Sequence, residues 1–253
     1  MRTLIATAAA AVLLCAASIG VSAQMNAERE RARLQYRVGW ENMKAEAWEK
    51  AAKSFQDAID LDPSYELAYY MLGRANMPLK RYAQAIAAYS KCRDLYQAQA
   101  GRQFANAQEA QRYRNNRLTE LDELVRLVQT GPQTVQATEQ LRQLQEQKRQ
   151  IQDAISRGNN LSIDASIPPY VSLALGSAYF RAEKFADAER EYKAAIAADS
   201  RAGEAHNNLA VVYLQTGRYE EAEKAVKSAE KTGFKVNPML KEDIAAKKKA
   251  GTP

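Results

Sequence analysis

The chain is poor in the residues that build most chemical sites. Among its 253 residues there is one histidine, His206, and there are two cysteines, Cys15 and Cys92. A zinc finger or cysteine cluster needs several such ligands, and a disulfide-stapled scaffold needs paired thiols, so both are excluded. Glycine (11) and proline (7) are too scarce for a collagen-like or disordered chain. Beyond the first two dozen residues no run is long and apolar enough to span a bilayer. No serine or cysteine stands at a triad-like spacing from His206, and no glycine-rich phosphate loop is present. Glu28, Glu30, Asp122 and Glu123 fall on polar helix faces rather than in a convergent set, so no metal is expected. No cofactor and no catalytic residue is expected either, and the chain reads as a non-enzyme.

What the sequence does contain begins at its N-terminus. Arg2 is followed by an uncharged, Ala- and Leu-rich run from Leu4 to Val21, closing on Val21-Ser22-Ala23. That is the pattern of a secretory signal peptide over residues 1–23. It implies an exported chain, periplasmic or secreted; the alternative is an uncleaved anchor, the one route to membrane contact. A lipoprotein reading at Cys15 fails on the bulk of Leu14. Cleavage removes Arg2 and lowers the net charge from +6 to +5. It leaves Cys92 as the lone thiol, so no internal disulfide forms. A mildly basic exported chain favours acidic partners, and nucleic acid is not expected.

A period of 34 residues organises the rest. Gly39 recurs as Gly73, Trp48 as Tyr82, Ala51 as Ala85, Phe55 as Tyr89 and Ala58 as Cys92. Further on, Tyr179 recurs as Tyr213, Phe185 as Tyr219, Ala188 as Ala222 and Ala195 as Ala229, while Gly176 is answered by Ala210. Small and aromatic positions repeating in register resemble the tetratricopeptide family in four units, roughly 32–65, 66–99, 169–202 and 203–236. Two departures stand out: only the first unit ends in the expected proline, Pro63, and Val226 replaces the aromatic of the fourth. The resemblance implies an all-α fold, a solenoid of helical hairpins in two pairs of repeats. Small residues let helices approach, and aromatics fill the gaps between them. Cys92 shares the register of Ala58, Ala195 and Ala229, so it reads as a small packing residue rather than a redox group. Ser64 is expected to open a helix. Asn237-Pro238 should begin a capping helix and basic tail over 237–253, with Lys241, Lys247, Lys248 and Lys249 either solvated or meeting an anionic surface.

Between the pairs, which span 24–99 and 169–236, lies an insert over 100–168 where the period fails. Leu118, Leu121, Val125 and Val128 are spaced 3, 4, 3; after Thr130-Gly131-Pro132, Ala137, Leu141, Leu144, Lys148, Ile151 and Ile155 are spaced 4, 3, 4, 3, 4. These narrow seams predict a long antiparallel helical hairpin, coiled-coil-like, with a second arm over 133–156 and a linker at 157–168. Gly101 is the one helix-breaking residue between 81 and 129, so the last helix of the second repeat is expected to run through it into the hairpin.

The resemblance also locates a site. In stacked repeats the first helix of each unit lines a concave groove. The groove residues it implies are Arg33, Tyr36, Trp40, Lys44, Tyr70, Arg74, Met77, Tyr170, Arg181 and Asn207, with the three tyrosines alternatively packing against neighbouring helices. Family members that clamp acidic chaperone tails carry Lys and Asn where this chain has Tyr36 and Trp40, which argues against that ligand. Arg beside aromatics suits a protein or peptide segment with acidic and apolar side chains. The expected role is a protein-binding scaffold of the bacterial cell envelope. The alternative is a structural homo-oligomer joined through residues 118–155, with the repeats as spacers.

Overall fold

The computed structural model describes residues 27–100, 103–130, 135–157 and 167–250. The expected signal segment, Gly101, and most of both the hairpin turn and the linker lie outside them. The described residues form eleven helices: α1 (27–44), α2 (Trp48–Leu61), α3 (Glu66–Asn76), α4 (Tyr82–Gln99), α5 (Ala107–Thr130), α6 (Val135–Ser156), α7 (Pro169–Arg181), α8 (Phe185–Ala198), α9 (Gly203–Gln215), α10 (Tyr219–Lys231) and α11 (Pro238–Ala250). The fold is all-α. Two compact units divide between Lys91 and Cys92, within α4.

Each repeat turns on the same local device. Glu46, Lys80, Glu183 and Gly217 all have left-handed φ, at 55°, 58°, 60° and 75°. The N–H of each bonds the carbonyl three residues back, and the following N–H reaches five back, as in Arg218 N–H to Tyr213 O at 2.8 Å. That paired pattern is a Schellman motif, which satisfies the last carbonyls of the first helix while reversing the chain. Only the fourth repeat places glycine there; the others hold Glu or Lys in a conformation that crowds Cβ.

The hairpins close on a glycine–aromatic contact. A Cβ on Gly39 would lie 2.7 Å from Phe55, one on Gly73 2.5 Å from Tyr89, and one on Gly176 2.7 Å from Tyr192. Sixteen residues separate the members of each pair. The same offset in the fourth repeat joins Ala210 to Val226, both buried, so the missing aromatic and the missing glycine compensate. Around them sit the expected small residues, Ala51, Ala85, Ala188 and Ala222, all fully buried. Cys92 is fully buried, as are Ala58, Ala195 and Ala229 of the same register. At the far end Asn237 Oδ1 accepts from Met239 N–H at 3.0 Å, with Pro238 in the first turn of α11. Ile244 of α11 is buried in the core cluster that holds Val226.

Three expectations are corrected. First, the last helix of the second repeat does not continue into the insert: α4 ends at Gln99 and α5 starts at Ala107. Asn106 caps the new helix by accepting from Glu109 N–H at 2.9 Å, while the Glu109 carboxylate reaches back to Ala105 N–H at 2.9 Å. Second, Ser64 caps nothing; its N–H and hydroxyl both bond the Asp62 carboxylate, and α3 starts two residues later. Third, the seam of α5 is rotated. Its buried positions are Ala110, Arg114, Arg117, Leu121, Leu124 and Val128, whereas Leu118 and Val125 are half-buried.

The two arginines explain the rotation. Tyr113 on α5 donates to Gln99 Oε1 at 2.6 Å, holding α5 to the end of α4. Arg117 then meets Tyr96 of α4: it bonds the hydroxyl, lies 5.1 Å over the ring, and pairs with Glu120 at 3.1 Å. Arg114 lies 5.8 Å over the Phe104 ring. Tyr96 is in turn 3.2 Å, hydroxyl to hydroxyl, from Tyr170 of α7. Long cationic stems thus fill core positions because their heads find aromatic faces and oxygen partners. Against α5 lies α6, with Leu144 buried and Lys148 paired to Asp122. Lys148, a polar break in the seam, is therefore matched. Ile151 and Ile155 are half-buried.

Candidate functional site

Within the first unit, α1 and α3 bring part of the expected strip together. Trp40 and Arg74 are in contact, with the guanidinium carbon 5.9 Å from the indole centroid. Trp40 is only 8% exposed, and its Nε1–H is buried with no hydrogen-bond partner among the described residues. Two helical turns earlier on the same face, Arg33 is 14% exposed. One amino group of Arg33 holds Glu30 at 2.7 Å, whereas Nη2 is buried and has no partner among the described residues. Both orphan groups can only donate, so an acceptor is what they lack. Leaving one buried donor unmet costs about 1–3 kcal/mol.

The remaining predicted residues divide by burial. Tyr36 is almost fully enclosed, its ring 5.6 Å from Phe55 and 5.2 Å from Tyr65, so it supports the strip from beneath. Tyr70 is buried on Tyr89, 5.6 Å between centroids. Met77 is half-buried, and Lys44 is exposed and paired with Glu41 at 2.8 Å. In the second unit Tyr170 is buried on Tyr96, Arg181 is exposed, and Asn207 is half-buried, donating to Asn208 at 3.3 Å. His206 is half-buried, with Nε2 3.2 Å from Ser200 O. Among the described residues no group of three metal-ligating side chains converges, and no helix is long and apolar enough to cross a membrane.

Charge is concentrated elsewhere in the second unit. Glu189 accepts from Arg218 and Lys193, both at 2.7 Å, and Arg218 also lies 4.3 Å over the Tyr213 ring. Burial pushes the Glu189 carboxyl up, but the two cations outweigh it and hold it below its ordinary value. Glu191 is the opposite case: its burial pushes the carboxyl up against the pull of Arg93, 2.8 Å away. Burial also pushes the Tyr192 phenol, which lies over Gly176, up to about 12. These groups fasten α4, α8, α9 and α10 and do not converge on a cleft.

A repeat of this length, turn and glycine–aromatic closure defines a class, and comparison with known proteins agrees. The tetratricopeptide repeat family model matches residues 36–101 and 173–233, half of the chain. The chain belongs to the tetratricopeptide repeat family. Among solved structures it is similar to PilW, a widely conserved type IV pilus biogenesis factor, at 17% identity over 87% of each chain with a TM-score of 0.41. It is also similar to TTC0263, a thermophilic tetratricopeptide protein of Thermus thermophilus, at 20% identity over 85% of this chain and 98% of that one, TM-score 0.31. A third is YrrB, described as having an unusual peptide-binding site, at 16% identity over 85% and 90% of the chains, TM-score 0.27. Among curated proteins none matches the chain.

Proposed function

We propose that the protein is a non-enzymatic scaffold that holds a segment of another protein against α1 and α3 of its first repeats. The observation that carries this reading is the pair of buried, unmet donors, Arg33 Nη2 and Trp40 Nε1, on one face of α1 beside Arg74. An extended or helical segment would supply what they lack: a backbone carbonyl or carboxylate for each donor, and apolar atoms for the indole. Arg74 would orient an acidic side chain, and Met77 would give an adaptable apolar flank. The signal-like N-terminus supports placing this scaffold in the bacterial cell envelope.

The test compares the wild-type chain with the double variant Trp40→Ala, Arg74→Glu as bait in an envelope extract. The partner should be recovered by the first and lost by the second; because Trp40 is largely buried, the same loss in Arg74→Glu alone, at helicity equal to wild type by circular dichroism, separates lost binding from lost packing. Truncating a central anchor of this kind costs about 2 kcal/mol or more of binding. Equal recovery by both baits would move the site away from the first two repeats.

A further inference from the structure

Helix α1 carries a second face that the groove does not use. Ala27, Arg31, Leu34, Val38 and Glu41 follow one another at spacings of four, three, four and three, and all five are exposed. Leu34 is 53% and Val38 43% exposed, two of the three large exposed hydrophobics among the described residues. The inward face of the same helix is made by Ala32, Tyr36, Trp40 and Met43. The stripe is therefore an outer face at heptad spacing, apolar at Leu34 and Val38 and charged at Arg31 and Glu41, and a face of that kind can meet another helix.

The order of its residues specifies which helix. Arg31 and Glu41 stand equally far on either side of position 36, and so do Leu34 and Val38. Reversing the stripe exchanges cation for carboxylate and one branched aliphatic for the other. A copy of α1 laid antiparallel, about a two-fold axis at position 36, sets Arg31 against the partner's Glu41 at both ends and Leu34 against the partner's Val38 in the middle. A parallel copy would oppose Arg31 to the partner's Arg31 and carboxylate to carboxylate. Glu41 now holds Lys44 at 2.8 Å across an exposed i,i+3 pair, a link weak enough to be exchanged.

We propose that this stripe is a self-association surface and that its occupant is a second copy of the chain, docked antiparallel through α1. The contact spans Arg31 to Glu41, about 15 Å of helix, too short to bury the roughly 1,200 Å² of total surface at which specific, stable interfaces begin. The dimer is accordingly weak and concentration-dependent. It leaves Trp40 and Arg74 untouched, so it stands or falls separately from the groove.

Sedimentation equilibrium up to millimolar concentration tests it. The wild-type chain should show a monomer–dimer equilibrium, and Leu34→Asp should be monomeric with unchanged helicity. Arg31→Glu and Glu41→Arg should each weaken self-association about tenfold or more, because each opposes like charges at two places. An equimolar mixture of those two variants should dimerise again, as should the double variant Arg31→Glu, Glu41→Arg. Three results would overturn the proposal: a monomeric wild-type chain at millimolar concentration, charge reversals without effect or without rescue, or an association abolished only by Ile151→Glu. The last would place the interface on α6.

Discussion

Gly73 and Tyr89 occupy each other's space: a Cβ on Gly73 would lie 2.5 Å from the edge of the Tyr89 ring. Tyr89 is itself buried, 5.6 Å between ring centroids from Tyr70. Gly73→Ala should therefore destabilise the first unit, and Gly73→Leu should do so more strongly, within about 1–3 kcal/mol for overpacking. Urea denaturation reads the effect as a lowered midpoint at unchanged slope; a midpoint equal to wild type would contradict the packing.

The fourth repeat permits a compensation experiment. Val226→Phe alone should clash with Ala210 and cost about 1–3 kcal/mol. Adding Ala210→Gly recreates the arrangement of Gly176 with Tyr192 and should recover most of that loss. The coupling between the two changes should reach at least about 0.5 kcal/mol in a double-mutant cycle, as for other residues in contact. Strict additivity would show that the shared offset is not a shared contact.

The turns offer a test of backbone strain. Glu183 holds φ at 60°, where Gly217 stands in the next repeat. Glu183→Gly relieves the Cβ crowding but loosens the unfolded chain, so the expected gain is small, up to about 1 kcal/mol. Gly217→Ala should lose about 1 kcal/mol, since it adds a Cβ at positive φ. Thermal unfolding of the pair should shift in opposite directions.

Acid stability follows from two carboxylates. Burial raises the Asp62 carboxyl, but hydrogen bonds from Ser64 and Arg29, with the Arg29 charge, hold it below its ordinary value. Glu189 is lowered in the same sense by Lys193 and Arg218. A carboxyl depressed in the folded state contributes stability that is present above its unfolded pKa. That stability is lost as pH falls through the folded value. Wild-type stability should thus decline below about pH 4. Asp62→Asn and Glu189→Gln should each be less stable than wild type near neutrality and show a shallower acid decline.

Much of the fold was legible because its determinants are local. Gly39 and Phe55 lie sixteen residues apart on one hairpin, and their recurrence 34 residues on as Gly73 and Tyr89 exposes them directly. The break between α4 and α5 was also written in the chain, as Asn106 with Glu109 three residues on, but a search for glycine and proline passes over a side-chain cap. The seam of α5 was misread for a different reason. Arg114 and Arg117 count as polar in any periodicity, and only the positions of Phe104 and Tyr96 turn them into core residues. Of the candidate site, the proximity of Trp40 and Arg74 followed from the repeat length. The depth of Tyr36, Tyr70 and Tyr170 did not, because burial depends on the neighbouring helix rather than on the helix that carries the residue.

Repeat proteins usually assemble from contacts between neighbours in sequence, yet Arg93 of α4 is matched to Glu191, 98 residues later. During synthesis the first unit has all its own helices long before that carboxylate leaves the ribosome. The second unit must wait, with Arg93 lacking its Glu191 partner, until α7 and α8 have been made. The chain is thereby given a direction in time: its first unit can close on its own, whereas the Arg93–Glu191 contact carries the entropic cost of closing a long loop through the insert.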